Sequence, residues 1–332
     1  MSTKPSQASS TSQQSERRLV MFVGDLHADD RTPATRKDDY LTACVEELTE
    51  ILTKARRFGC DAIVMLGDIF HRMEPQGQCR NLILRTFLSF SDLRIITVVG
   101  NHDVKHNLQN LPNSALGTLL DAGVLVSLEE CLDLRIGLGH FRAKIEDEIK
   151  DGLLAQKSVL IWALHASVAT MPQFGEFILF DDVPLHPQTR LVVAGHIHHP
   201  MFQQREDGAI FINPGSICRN ALNVENKERQ PQVLVVDYAL DGTYMRQKLI
   251  PLESSRPAAE IFRIEEVQAR KDEIADTQNY IQQISQVTLW AQGGDKYEDL
   301  RRSGGLKGVD TTIIDKAIDA LRAAQDDTGD TK

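Results

Sequence analysis

The sequence predicts a mixed α/β protein in which β-sheets stack on one another with helices outside, and three observations carry that prediction. Five short apolar runs end in polar side chains, most of them after a glycine, as strands buried on both faces do. Between the early runs lie segments whose apolar residues recur at helical spacing. Beyond residue 200, Asp-Gly pairs punctuate β-rich stretches, the mark of antiparallel hairpins. Strand–helix units followed by hairpins imply a sandwich of mixed sheets.

Residues 1–17, MSTKPSQASSTSQQSER, are Ser-, Thr- and Gln-rich without an apolar segment, and predict a disordered tail rather than a secretory leader. Leu19–Val23 is the first strand. Leu41, Cys44, Val45, Leu48, Ile51, Leu52 and Ala55 then share a helical face, with Asp38 as cap and Gly59 as stop. DAIVMLGD is the second strand, and a helix follows over roughly 79–91. RIITVVGNHD, SVLIWALHAS and RLVVAGHIHHP supply three more strands. Asp207-Gly208 and Asp241-Gly242 mark hairpin turns. SSRPA, at 254–258, marks a boundary. A polar helix near 265–290 comes next, with a thin stripe of Val267, Ile274, Ile281 and Ile284. After a Gly-rich link, a last helix gathers Ile313, Ile314, Ala317, Ile318 and Leu321 on one face. The expected organisation is a catalytic domain over 18–253, a helical region over 254–325 and a disordered tail over 326–332.

Composition narrows the function. The chain has 332 residues and a net charge of −10, which argues against a broad nonspecific grip on nucleic acid. A local positive site remains open, because bound divalent cations themselves supply positive charge. No run of about 18 apolar residues exists, so no spanning helix and no membrane partner are expected. Five cysteines, none in a C-x-x-C pair, fit a reduced, cytoplasmic setting.

The run ends hold the chemistry. Asp25, His27, Asp68, Asn101, His102, His165, His196 and His198 stand there, and in open α/β sheets sites form beyond the carboxyl ends of strands. Carboxylate oxygen, amide oxygen and neutral imidazole suit Mn²⁺, Fe²⁺ or Zn²⁺. Asp68 lies mid-series and is the natural bridge between two ions, which at about 3.5–4 Å apart clamp an in-line phosphoryl displacement. Taken alone, Asp25 or Asp68 reads as a solvated strand-end carboxylate; the convergence of the set favours ligation. His199 reads as a neighbour of the motif, His140 as structural and His186 as exposed.

The ordered series GDLH, GDIFH, GNHD, LH and GHIH resembles the calcineurin-like metallophosphoesterases and spans most of residues 19–200. The resemblance implies a four-layer α-β-β-α sandwich with a short C-terminal helical region. It implies two divalent metals, Mn²⁺ foremost and Mg²⁺ also admissible. Asp25, His27 and His198 would hold the first metal, and Asn101, His165 and His196 the second, with Asp68 bridging. His102 would face the phosphate as general acid or transition-state stabiliser, with Asp103 orienting its loop. The nucleophile would be a metal-bridging hydroxide.

GDIFHRMEP and GNHD depart from the VDRG and GNHE stretches of the Ser/Thr protein phosphatases. They resemble instead the SbcD-type DNA nuclease subunits, where a histidine in the position of His71 lies near the scissile phosphate. That resemblance implies a DNA exo/endonuclease, a homodimer and an SbcC-type ATPase docked through the C-terminal helices. Arg31, Arg36 and Lys37, Arg72, Lys105 and His106, and Arg219 follow the motifs and are the candidates for gripping flanking phosphates. Two features point elsewhere. The region after Pro251 is short for a full nuclease cap, and NPGSICR resembles a loop of compact phosphodiesterases. A small-molecule nucleotide phosphodiesterase is the alternative, and a metal-poor scaffold subunit is disfavoured because every motif position is filled.

Overall fold

The protein is described by a computed structural model over residues 16–288, 297, 298, 301, 302, 305 and 310–326. The expected terminal tails and Gly-rich link fall largely outside these residues, although Arg17, assigned to the tail, already opens the first strand. The chain divides into two compact units, Met1–Phe262 and Arg263–Lys332. The segment 254–262, expected to begin the helical region, therefore belongs to the first unit.

Two six-stranded sheets form the first unit. The first contains β1 (Arg17–Val23), β2 (Ala62–Met65), β3 (Ile95–Thr97) and β4 (Val126–Ser127), mutually parallel, with β13 (Gln232–Ala239) antiparallel beside β1 and β14 (Met245–Pro251) antiparallel beside β13. The second has β6 (Ile136–Gly139), β7 (Ile161–His165), β10 (Leu191–Gly195) and β12 (Ile210–Asn213) in parallel, edged by β5 (Glu130–Cys131) and β11 (Met201–Gln204). A small parallel pair, β8 (Val168–Ala169) and β9 (Ile178–Leu179), lies apart. The hairpin turns stand where expected, Gly208 donating to the Arg205 carbonyl and Gly242 to that of Ala239.

Alternation along the strands builds four layers. Met21, Val23, Ile63 and Met65 join one buried cluster with α1 (Tyr40–Phe58), α2 (Gly77–Leu88) and α4 (Ala115–Asp121), which follows the short α3 (Asn101–Val104). Val20, Phe22 and Val64 turn the other way and pack with Ile136, Ile161 and Val193 between the sheets. Trp162, Leu164, Val192 and Phe211 form the outer face of the second sheet, covered by Ile145 and Ile149 of α5 (Ile145–Lys150). The mixed α/β sandwich predicted from sequence is the observed architecture.

Strand β6 was not foreseen, because RIGLGH carries two glycines where a strand favours branched side chains. The structure shows their use: a Cβ on Gly137 would lie 2.7 Å from the Trp162 ring. Asp39, not the expected Asp38, caps α1, its carboxylate accepting from the Thr42 amide, and Gly59 ends the helix at φ 69°. In the first unit's last segments, α6 (Val224–Glu228) and α7 (Ala258–Ile261) contact one another. The second unit holds α8 (Ile264–Thr288) and α9 (Thr311–Asp326), packed on each other, with Ile314, Ala317 and Ile318 buried and Ile274 exposed. Among the described residues no helix is long and apolar enough to cross a membrane.

Candidate metal centre

Each motif residue stands at or just past the carboxyl end of a strand. β1 delivers Asp25 and His27, β2 Asp68, β3 Asn101 and His102, β7 His165, and β10 His196 and His198. Tight backbone conformations bring them together. His27, Asp68 and His196 adopt φ of 53°, 49° and 78°, left-handed conformations that non-glycine residues avoid unless their surroundings hold them there. Glycine permits the closest approach: a Cβ on Gly100 would lie 2.1 Å from an Asp68 carboxylate oxygen. Loop hydrogen bonds complete the frame. The Leu26 and His27 amides both donate to the Asp68 carbonyl, and the Asp103 carboxylate accepts from the Phe70 and Gly100 amides, tying two motif loops together.

Three donor groups result among the described residues. Asp25, His27 and His198 form one and Asp68, His165 and His196 another; the third, His27 with His71 and His102, shares His27 with the first. Asn101 joins the second, its side-chain oxygen 2.9 Å from His165 Nε2 and 3.0 Å from His196 Nδ1. Asp68 Oδ2 stands between the first two groups, 3.6 Å from His27 Nε2 and 3.5 Å from His165 Nε2.

The donor chemistry fits cations. His165 Nδ1 donates to the Leu66 carbonyl at 2.8 Å, so its Nε2 carries a lone pair, directed at an amide oxygen that is also an acceptor. His27 Nε2 and His198 Nε2 face one another at 2.8 Å, and His196 Nδ1 lies 3.2 Å from His165 Nε2. Crowded lone pairs are stable when they share a positive ion. Burial holds His165, His196 and His198 down at about 4, keeping the imidazoles neutral, which is the ligating form. Burial also pushes Asp68 up to about 6, and burial together with the Asp68 charge drives Asp25 well above its usual range. Two buried carboxylates this close call for compensating cations.

His102 and His71 sit above this cluster. His102 Nδ1 donates to the His71 carbonyl at 2.7 Å, and its amide donates to Asp68 Oδ1 at 2.9 Å. The two rings stack with centroids 5.1 Å apart. His71 Nδ1 lies 3.4 Å from His27 Nδ1, a ring nitrogen turned away from His198.

The cationic candidates divide. Arg31 and Arg72 border a cavity of about 400 Å³ with His71 and Asn220. Lys105 and His106 border another, of about 390 Å³, with His71 and His102. Arg72 is anchored to Asp29 at 2.5 Å and Asp30 at 2.8 Å, so its charge is partly neutralised. Arg219 requires correction. It is buried and bonded to the Asn226 carbonyl, Ser255 Oγ and the Arg256 carbonyl, so it braces the fold and does not reach phosphate. Arg36 is likewise buried, paired with Asp38 at 2.7 Å. His140 is structural, accepting from the Val99 amide, and His186 and His199 are half-buried rather than fully exposed.

Sequence reading passed over the brace on the far side. In the loop after β12, the Ile217 amide donates to the Asp25 carbonyl at 2.7 Å and the Ser216 amide to that of His198 at 3.0 Å. Asn213 fixes that loop by donating to the Ile197 carbonyl and accepting from the Gly215 amide. Tyr40, buried beneath, donates its hydroxyl to the His27 carbonyl. NPGS was the available signal, an Asn-Pro-Gly turn following a strand.

The sequence model of the calcineurin-like phosphoesterase superfamily domain matches residues 19–239. The chain belongs to that superfamily. Its members use two divalent metals, and the first two donor groups, with Asp68 Oδ2 between them, are candidates to hold such a pair. No protein of curated function matches the chain in sequence. Among solved structures it is similar to a dimetal phosphatase from Danio rerio, at 13% identity and a TM-score of 0.42, covering 69% of this chain and 98% of that one. It is also similar to a metallophosphoesterase from Sphaerobacter thermophilus, at 14% identity and a TM-score of 0.35, covering 91% and 99%.

Proposed function

We propose that this phosphoesterase is a phosphodiesterase acting on DNA, cutting the strand at the paired-metal centre. One observation carries the reading: the centre lies along a trough rather than in a closed pocket. The cavity bordered by Arg31 shares His71 and Arg72 with the one bordered by Lys105, and that one shares Asn101 and His106 with a third, of about 460 Å³, beyond His196. A chain can pass through such a trough with phosphates on both sides of the reacting one. Arg31, Lys105 and His106 are exposed along it, and Arg72 is half-buried. Arg31 and Lys105 supply local positive charge in a protein of net charge −10.

When bound, the cations supply a Lewis acid and an acidified water. The chain's own residues do the rest. Asp68 orders the His102 loop through its carboxylate, and the His71 carbonyl fixes which His102 nitrogen carries the proton. His102 Nε2 is left for the phosphate or the departing oxygen, and it acts there as a general acid or charge stabiliser when both ring nitrogens carry protons. His71 stacks on His102 and contacts His27, so it sets the height of both rings.

The acidic balance of the chain favours a second reading, a small nucleotide diester. A single panel separates the two: Mn²⁺-loaded protein with single- and double-stranded DNA, RNA and cyclic nucleotides. Cleavage of DNA ends or hairpins supports the first reading. Rapid turnover of a cyclic nucleotide with inert DNA replaces it.

A further inference from the structure

The trough is chemically lopsided. At one end its wall is Asp29, Arg31, Thr32 and Arg72, suited to a sugar–phosphate backbone. At the other end, beyond Asn101 and His196, the cavity of about 460 Å³ has aromatic walls. Phe141 makes one: half-buried, it lies tilted by 30° against the His196 ring at 6.1 Å and edge-on to His165 at 6.2 Å. Phe174 makes the other. It rides on the loop 170–177 between β8 and β9, beside Gly175 at φ 91°, and its relative exposure is 108%. Among the described residues of the first unit no large apolar side chain is more exposed.

A full aromatic ring in water forgoes its burial unless a ligand covers it. The partner that suits a ring face next to a reacting phosphate is another flat π-system, and a phosphodiester of nucleic acid carries one on each neighbouring sugar. Lys144 is an exposed cation of the same lining, which also carries Glu146 and Glu176. The opposite cavity has no exposed aromatic among its walls, since Tyr40 there is buried.

We infer that Phe174 is a specificity-determining residue that stacks an unpaired nucleobase next to the scissile phosphate, in the cavity that Phe141 also lines. The inference rests on the nucleotide reading above and narrows it. A base held in a duplex has both faces covered by its neighbours, so the cavity accepts single strands, frayed ends and hairpin loops ahead of duplex interiors. It would hold the base of a free mononucleotide through the same contact.

The test reads stacking rather than turnover. The full chain, loaded with Mn²⁺, is titrated into a phosphorothioate-linked single strand carrying 2-aminopurine, whose emission falls when it stacks. The expected result is quenching by the wild type, with Phe174→Ala losing the quench and binding about 5- to 100-fold more weakly. Phe174→Tyr should restore both. A strand with abasic sites in place of the neighbouring bases should bind the wild type and Phe174→Ala alike. A parallel titration of 2-aminopurine riboside monophosphate tells a mononucleotide from a strand: comparable quench assigns the cavity to free nucleotides, and weak quench assigns it to strands. Equal quench by wild type and Phe174→Ala, no quench by the wild type, or an equal drop on the abasic strand overturns the inference. Quench by a protein that cuts no DNA would leave the stacking intact and remove the nuclease reading. DNA cleavage without quench would do the reverse.

Discussion

At the scale of single residues, His102 and Asp68 do separable jobs. His102 touches the cluster through its backbone amide, which donates to Asp68, while its ring is tethered to the His71 carbonyl. His102→Ala keeps that amide, so it should retain the metals yet lower kcat by about 10²–10⁴-fold, the usual worth of a positioned proton donor. Metal content by elemental analysis beside kcat checks this, and undiminished turnover would take His102 out of the reaction. Asp68→Asn removes the carboxylate that stands between the donor groups, and should deplete both metals together and abolish turnover. Loss of one metal alone would mean that Asp68 does not bridge. These residues were legible because each ends an apolar run, and polar atoms at strand ends advertise themselves. Their supports were not. The Leu66 carbonyl that sets the His165 tautomer is backbone, which any residue would supply. Arg36 and Arg219 misled for the opposite reason, since a guanidinium reads as solvent-seeking until its partners are known, here Asp38 and the Arg219 carbonyl for Arg36 and the Asn226 carbonyl for Arg219.

At the scale of elements, helix α1 begins on Asp39, whose carboxylate takes the Thr42 amide and hydroxyl, and these bonds hold the Asp39 carboxyl below its usual range. A carboxyl lowered by folding stabilises the native state above its unfolded value, near 3.9, and that contribution fades as pH falls through the folded value. Asp39→Ala should therefore cost about 1 kcal/mol at neutral pH, and the gap between variant and wild type should narrow below about pH 4. Denaturant melts at several pH values measure it; a gap independent of pH would show that Asp39 does not cap as an anion. The cap was displaced by one residue from the sequence reading because DD offers two equivalent carboxylates, and Arg36 takes the first. Strand β6 was harder to foresee. Its glycines make room for Trp162 on the neighbouring strand, and a cavity shaped by a partner far along the chain leaves no local pattern. Gly137→Ala would force its methyl against the indole, a cost of about 1–3 kcal/mol. A shift in thermal unfolding reports it, and no destabilisation is expected for Gly77→Ala, where nothing lies within 4 Å of the added methyl and φ is not positive.

At the scale of the whole molecule, the donor groups join the two sheets. Asp25, His27, Asp68 and Asn101 come from the ends of β1, β2 and β3 in one sheet, and His165, His196 and His198 from β7 and β10 in the other. Between those ends the interior is apolar and continuous, built from Val20, Phe22 and Val64 against Ile161 and Val193, so the sandwich can form without metal. What metal adds is a link at the one edge where buried carboxylates and facing lone pairs oppose closure. A ligand that binds only the native state stabilises it by about 2.7 kcal/mol at a hundred times its Kd and about 4.1 kcal/mol at a thousand times. For a catalytic unit of this size the first figure corresponds to about 5–10 °C in Tm. Chelation should lower Tm of the wild type by that much, and readdition of Mn²⁺ should restore it in a concentration-dependent way. Asp68→Asn, deprived of the carboxylate between the donor groups, should melt at nearly the same temperature with or without Mn²⁺. Identical Mn²⁺ responses in the two proteins would mean that the cations bind elsewhere, and the assignment of this cluster as the place where the sheets are joined by metal would fail.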